Sequence, residues 1–523
     1  MSAIKSQQII FIAAENAALP GGKVGGIGDV VRDLPRALAD AGWRPVVVTP
    51  AYGMFGNLGS AQQVSTLEVS FGSGDHRVDV IEVPGQDTRV QHIVLEHPLF
   101  SPNGAGRIYV DDGPDRPFAS DAGKFAFLSI AAATYIRQLK APPRIVHLHD
   151  WHTALYLLLR AYDPLFAELH GIRTVFTIHN MAFQGIRPLT GDPSSLDNWF
   201  PQLQYDPNDV VDPRYPDCVN PMAVAIRLAD KINTVSPTYA REILQPSDPV
   251  RGFSGGEGLD KELRAAVARK RLVGILNGCE YPKRDRRRPG WRRILETIGA
   301  DLKSWRNLKQ GLDRIHELSA SRIRKLPRRR PGAVLTSIGR LTGQKADLFL
   351  KRAGGTGTAL DTILERLGRN GVLIMVGSGD IVLQRRVAEI ARQHENFLFL
   401  CGYSETFSEM LYASGDLFLM PSSFEPCGIS QMLAMRSGQP CVVHAVGGLR
   451  DTVRDGETGF SFDGNTPEEQ ARNFVGAVDR ALVTRANDQD RWLQIRHRAQ
   501  AQRFSWQSTA ECYIRDLYEI GHG

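Results

Sequence analysis

The sequence has no paired-cysteine motif. Its six cysteines, Cys218, Cys279, Cys401, Cys427, Cys441 and Cys512, are scattered, with no C-x-x-C among them. That argues against a disulfide framework and for a reducing, cytoplasmic setting. Long apolar runs are missing too. Phe125 to Ile136 stops short of the roughly 20 residues a membrane helix needs. The start, Met1 to Glu15, has one lysine and a short apolar run closed by the glutamate. It is too short for a signal peptide and reads as a first strand. No G-K-[ST] follows any Gly-rich stretch, so no Walker loop is present. The only D-x-D, Asp488-Gln489-Asp490, lies in a polar stretch away from any predicted strand end. Metal-dependent sugar-nucleotide binding through it is disfavoured, and no metal or cofactor is expected. Short-period repeats are absent.

What is present points to a large α/β protein. At 523 residues the chain exceeds one core, so two domains are expected. Apolar content of 42% and charge of 23% are ordinary for a globular chain, and 50 glycines suit many strand–helix turns. Predicted strands and helices alternate from Ile9 to Asn277, interrupted by a hairpin-rich insertion over Val64 to Val83 and Arg89 to Glu96. Alternation restarts at Val334, and an amphipathic helix, Phe504 to Ile520, closes the chain. This pattern implies mostly parallel sheets in two halves. Net charge is +6, but residues 283–330 hold 17 Lys or Arg against 5 Asp or Glu. No aromatic ladder accompanies that run, so a solvated insertion with basic helices is expected rather than a nucleic-acid surface.

Four places carry candidate chemistry. GGKVGGIGDVV, Gly21 to Val31, lies between a strand and a helix, where backbone N–H groups and Lys23 suit an anion. It misses the dinucleotide fingerprint, because the second strand ends in Thr49 rather than an acid. His147-Leu148-His149-Asp150-Trp151-His152 ends another strand, with His147 and His149 on one face. Its spacing matches no zinc motif, which favours a catalytic-cleft loop. Arg340 and Lys345 follow the first strand of the second half, and two cations there can clamp a diphosphate. Finally, Asp416 to Gly448 parses as strand, loop, helix and strand. Its loop, Phe424-Glu425-Pro426-Cys427-Gly428, puts a carboxylate at the ligand-binding edge of an open sheet. Glu425 could alternatively serve only the helix dipole.

In this order the motifs resemble one family, the bacterial glycogen synthases and plant starch synthases. The matching residues are Lys23 to Val30, His149 to His152, Thr177 to Asn180 with Gln184-Gly185, Asn233 to Pro237, Gly258 to Asp260 and Gly274 to Gly278. Arg340-Leu341-Thr342 with Gln344-Lys345, Gly402-Tyr403, and Glu425 to Gly428 with Gln431 complete the set. The resemblance implies a GT-B fold: two facing Rossmann-like domains, a deep interdomain cleft and a C-terminal helix returning to the first domain. Domains are expected at 1–275, 276–500 with the basic insertion 283–330, and 501–523.

The activity it implies is transfer of glucose from ADP-glucose to the non-reducing 4-hydroxyl of an α-1,4-glucan, with retention. Arg340 and Lys345 would hold the diphosphate and stabilise the leaving group. Lys23, Gly25, Gly26, Gly428 and Ile429 would approach the same phosphates. Cys427 belongs to this donor loop, and Tyr403 would stack near the adenine. His179, Asp150 and Asn277 would line glucose and acceptor subsites, and Glu425 would steady the oxocarbenium-like sugar. A related transferase with another donor or a small acceptor, or an inactive glucan-binding relative, are the alternatives. The intact Arg340, Lys345 and Glu425 argue against the inactive one. The chain departs from the family at Ala346, at Lys351 to Thr358, and where Cys279-Glu280-Tyr281-Pro282 runs into the basic segment.

Overall fold

The computed structural model describes residues 7–281, 288–305, 313–326, 329–355 and 357–519. Parts of the basic segment (282–287, 306–312 and 327–328) and Thr356 lie outside the described residues. The chain divides into two compact units. The first comprises described residues 7–247, 255–277 and 506–519, and the second 248–254 and the described part of 278–505. No helix among the described residues is long and apolar enough to cross a membrane.

The first unit is built on strands β1 (Gln8–Ile12), β2 (Arg44–Pro50), β3 (Gln62–Phe71), β4 (Gly74–Glu82), β5 (Gln91–Glu96), β6 (Ile145–His149) and β7 (Arg173–Ile178). A small pair, β8 (Arg187–Pro188) and β9 (Cys218–Val219), stands apart, and β10 (Lys231–Thr234) and β11 (Leu272–Gly274) complete the set. The nine-stranded sheet runs β11-β10-β7-β6-β1-β2-β5-β4-β3. It is parallel except where β4 meets β5 and β3. The expected hairpin insertion is therefore part of the main sheet, since β5 pairs in parallel with β2. One face of the hairpin is apolar, with Leu67, Val69, Val78 and Val80 buried, and helix Ala119–Arg137 packs on β3. Covering that face favours extending the sheet over leaving a free ribbon.

The second unit has six parallel strands: β12 (Ala333–Ile338), β13 (Gly371–Val376), β14 (Phe397–Leu400), β15 (Leu417–Met420), β16 (Cys441–His444) and β17 (Phe460–Phe462). Their order is β14-β13-β12-β15-β16-β17, the doubly wound Rossmann arrangement. These strands are short, continuous apolar runs, as both faces are covered by helices.

The basic segment is not a solvated insertion where it is described. Helix Trp291–Trp305 buries Trp291, Ile294, Ile298, Leu302 and Trp305 in the core of the second unit. In helix Asp313–Lys325, His316, Ser319 and Arg322 occupy one face at three-residue spacing. They bond the carbonyls of Cys401, Phe399 and Phe397 at 3.0, 2.8 and 2.8 Å. Those carbonyls alternate along β14, the outer strand of the sheet. The polar face of the helix thus satisfies an edge that would otherwise be open to pairing. The aspartate triplet also has a structural use, because Asp488 caps helix Gln489–Ala501 by accepting from Arg491 N–H at 3.0 Å.

The C-terminal segment belongs to the first unit. Helix Trp506–Tyr513 continues into a π-turn, Ile514–Tyr518, rather than running on as one α-helix. Trp506, Tyr513, Leu517 and Tyr518 are buried beside Phe11, Leu34 and Val47. The wider turn accompanies two anchors: Arg173 Nε donates to Leu517 O at 2.9 Å, and the Tyr518 hydroxyl bonds His147 Nδ1 at 2.8 Å.

Candidate functional site

In the second sheet the strand order reverses between β12 and β15, so their connections leave in opposite directions. The crevice at their carboxyl ends is where such folds bind ligands. Arg340 lies two residues past β12, Lys345 lies in the following helix Gly343–Leu350, and Glu425 lies in the loop after β15. The structure brings the last two together, with Lys345 Nζ 2.9 Å from Glu425 Oε2. Glu425 is 6% exposed and also accepts from Ser422 Oγ at 3.0 Å. His444, at the end of β16, bonds Ser422 O at 3.0 Å, and burial lowers its pKa to about 4. A neutral imidazole therefore braces the loop.

The loop is fixed from both sides. Gln344 Nε2 donates to Phe424 O at 2.9 Å, and Ser423 N–H donates to Gln344 O at 2.8 Å. Gly448 N–H donates to Glu425 O at 3.1 Å. Gly447 has φ +43°, and a Cβ there would stand 1.9 Å from Glu425 O, so no side chain fits. Gln431 Nε2 holds the carbonyls of Cys427 and Gly428 at 3.2 and 3.1 Å. Ile429 precedes helix Ser430–Arg436 with no side-chain cap. By contrast, Arg340 is exposed, and its guanidinium makes no hydrogen bond or ion pair among the described residues. Tyr403 is 62% exposed on the loop after β14. With Arg340, Lys345 and Glu425 together, the edge carries a net positive charge.

In the first sheet the order reverses between β1 and β6. The loop after β1 carries Lys23, Gly25 and Gly26; Asp150 follows β6, His179 follows β7, and Asn277 follows β11. Lys23 Nζ pairs with Asp29 at 2.8 Å. Glu15, which in the sequence only closes the first apolar run, accepts from Val24 N–H at 2.8 Å, Gly25 N–H at 2.6 Å and the Tyr109 hydroxyl at 2.8 Å. The Gly25 amide, expected to face a phosphate, is thus committed to a carboxylate. Gly26 opens helix Gly26–Asp40 with nothing near its Cβ position.

Asp150 is buried with φ +54°, a conformation few non-glycine residues adopt. A 3-10 turn, Trp151–Thr153, and helix Leu155–Tyr162 follow it. Its Oδ1 accepts from His179 N–H at 2.7 Å, so it shapes the end of β7. Burial pushes its pKa up to about 8. His179 bonds His149 at 2.9 Å, and His149 stacks on His147 with centroids 4.5 Å apart. His147 Nε2 bonds Thr177 Oγ1 at 2.6 Å, Thr177 Oγ1 bonds Asn233 Oδ1 at 2.6 Å, and Asn233 Nδ2 reaches the Tyr513 hydroxyl at 2.9 Å. Both nitrogens of His147 are therefore spent on hydroxyls. No group of three or more His, Cys, Asp or Glu among the described residues is placed to hold a metal. Asn277 is 5% exposed and its Oδ1 has no hydrogen-bond partner among the described residues.

These burials set an acid response. Desolvation drives His179 and His152 down to about 3, and His147 and His149 well below the usual histidine value. The unfolded chain takes up protons below about 6.5 while the folded one does not, so stability is lost as pH falls through that range. His179 and His152 each cost about 2 kcal/mol at pH 5, and His147 and His149 act in the same direction. Asp150 acts oppositely, since its raised pKa destabilises the fold as pH rises from about 4 to 8. It returns about 3 kcal/mol between pH 7 and 5, less than the four histidines remove. A thermal melt followed from pH 7 to pH 5 is expected to show a fall of several degrees or more. An unchanged melting temperature would contradict the neutral histidine cluster.

Residues 8–265 match the starch synthase catalytic domain, and residues 333–480 match the glycosyl transferases group 1 family. The chain is 35% identical over 530 residues to glycogen synthase of Anaeromyxobacter sp. (strain Fw109-5), covering 97% of this chain and 98% of that one. It is 34% identical over 522 residues to glycogen synthase of Lactiplantibacillus plantarum, with the same coverage. This chain belongs to the glycogen/starch synthase family. The solved catalytic domain of starch synthase IV from Arabidopsis thaliana, bound to ADP and acarbose, matches with TM-score 0.75 and 27% identity. That match covers 98% of this chain and 99% of the other. A sucrose-phosphate synthase from Thermosynechococcus elongatus, at 18% identity and TM-score 0.55, shares the fold. The two Rossmann-like sheets and the C-terminal return are thus the GT-B fold of this glycosyltransferase family.

Proposed function

We propose that this chain transfers glucose from ADP-glucose to the non-reducing 4-hydroxyl of an α-1,4-glucan, with retention of configuration. The observation that carries the reading is the edge of the second sheet. There Lys345 and Glu425 are paired at 2.9 Å, and Arg340 stands without a partner among the described residues. Arg340 and Lys345 hold the diphosphate and stabilise the departing ADP, a task for preorganised cations. The first amides of helix Ser430–Arg436 and the Gly428 backbone add N–H donors, and Tyr403 offers its exposed ring to the adenine. Glu425 hydrogen-bonds glucose hydroxyls and stabilises positive charge as the donor bond breaks. The departing phosphate oxygen takes the acceptor's proton on the same face, so no protein nucleophile is required.

In this reading Asp150, His179 and Asn277 bind sugar hydroxyls. Lys23 contributes charge toward phosphate, and Gly25 with Gly26 keeps that loop free of side chains. The six cysteines form no disulfide among the described residues, which supports a cytoplasmic setting. The test is incubation with radiolabelled ADP-glucose or UDP-glucose, with and without glycogen, followed by counting label in precipitated polymer. ADP-glucose is expected to label glycogen with strong preference over UDP-glucose. No incorporation from either donor would refute the synthase reading; preference for UDP-glucose would refute the donor alone.

A further inference from the structure

His149 and His179 sit side by side at the carboxyl ends of β6 and β7, joined by one hydrogen bond of 2.9 Å between His149 Nδ1 and His179 Nε2. His149 is completely buried, and its other nitrogen, Nε2, has no hydrogen-bond partner among the described residues. Its ring is stacked between Phe11 and His147, with centroids at 5.8 and 4.5 Å. His179 keeps 9% of its surface, and its Nδ1 has no hydrogen-bond partner among the described residues.

Two neutral imidazoles sharing one hydrogen bond allow two proton arrangements. In one, His179 donates from Nε2 and His149 carries its proton on Nε2, burying an N–H with no acceptor. In the other, His149 donates from Nδ1, and only a lone pair is left unfilled. Orphaned buried N–H groups are rarer than under-satisfied acceptors, so the second arrangement is favoured. We propose that His149 is a positioning residue that locks His179 in the tautomer protonated on Nδ1, giving a sugar hydroxyl a fixed N–H donor. The sugar part of this statement rests on the function proposed above; the tautomer does not. A His179 so locked orients a hydroxyl and does not act as a base. The low basicity that burial imposes on both rings agrees with a neutral pair.

The test is imidazole nitrogen-15 NMR on the full-length protein, with His179 assigned by its loss in His179→Gln. Wild type is expected to show His179 with its proton on Nδ1 and a bare Nε2. His149→Phe keeps the ring and removes the donor. It should shift His179 toward the other tautomer and lower kcat about tenfold, with KM for ADP-glucose within about twofold. His149→Asn, whose amide N–H stands near the Nδ1 position, should restore the His179 pattern and most of kcat. A wild-type spectrum with the His179 proton on Nε2 overturns the proposal even if His149→Phe does not fold. An unchanged His179 spectrum in a folded His149→Phe overturns it too. Absence of glucose transfer by wild type would count against the function alone, because the spectrum reads the tautomer without turnover.

Discussion

Arg340→Ala is expected to lower kcat/KM for ADP-glucose by about 10²–10³-fold, the scale seen when one preorganised charge stabiliser is removed. The same variant should melt within about 1–2 °C of wild type, since an exposed side chain without a partner contributes little to stability. That combination follows from the geometry. Lys345 is held by Glu425 and Gln344 clamps the neighbouring loop, but nothing among the described residues uses the Arg340 guanidinium. An exposed cation two residues past a strand end, on the loop next to the Lys345–Glu425 pair in sequence, has its use when an anion arrives. Steady-state kinetics with glycogen as acceptor, paired with a thermal melt, check both halves. A variant with near-normal kcat/KM would remove Arg340 from the diphosphate site.

Glu425→Gln is expected to lower kcat by about 10²-fold or more at saturating ADP-glucose, as a negative charge facing the developing positive sugar is lost. Glutamine is chosen because it keeps the shape of a side chain that is 6% exposed and bonded to Ser422. Glu425→Ala would also leave Lys345 without its partner, so its lower activity would mix with lower stability. Single-turnover kinetics on the glutamine variant separate the chemical step from donor binding. A wild-type single-turnover rate would assign Glu425 to bracing Lys345 and nothing more.

Much of this site was legible in the chain itself. The Asp416 to Gly448 unit stands out because an apolar strand, a proline break and a helical spacing of Ile429, Met432 and Leu433 follow in order. Arg340 and Lys345 are marked by their place after a strand. What was not legible depends on partners distant in sequence. His147 and Tyr518 are separated by 371 positions and meet only because the C-terminal turn packs in the first unit. Glu15 looks like the end of an apolar run, yet its carboxylate gathers two amides of the Gly-rich loop. The basic helices gave a charge count, whereas their role lies in which carbonyls His316, Ser319 and Arg322 meet along β14. Charge density reports the solvated face of such a helix and is silent about the face that caps an edge strand.

The proposed function stands on the carboxyl edge of the second sheet binding a nucleoside diphosphate through Arg340 and Lys345. Titration calorimetry of ADP and of adenosine against wild type and Arg340→Ala tests it without turnover. The variant is expected to lose about 10–100-fold in ADP affinity, while its weak adenosine binding is unchanged. Equal ADP affinity in the two proteins would contradict it.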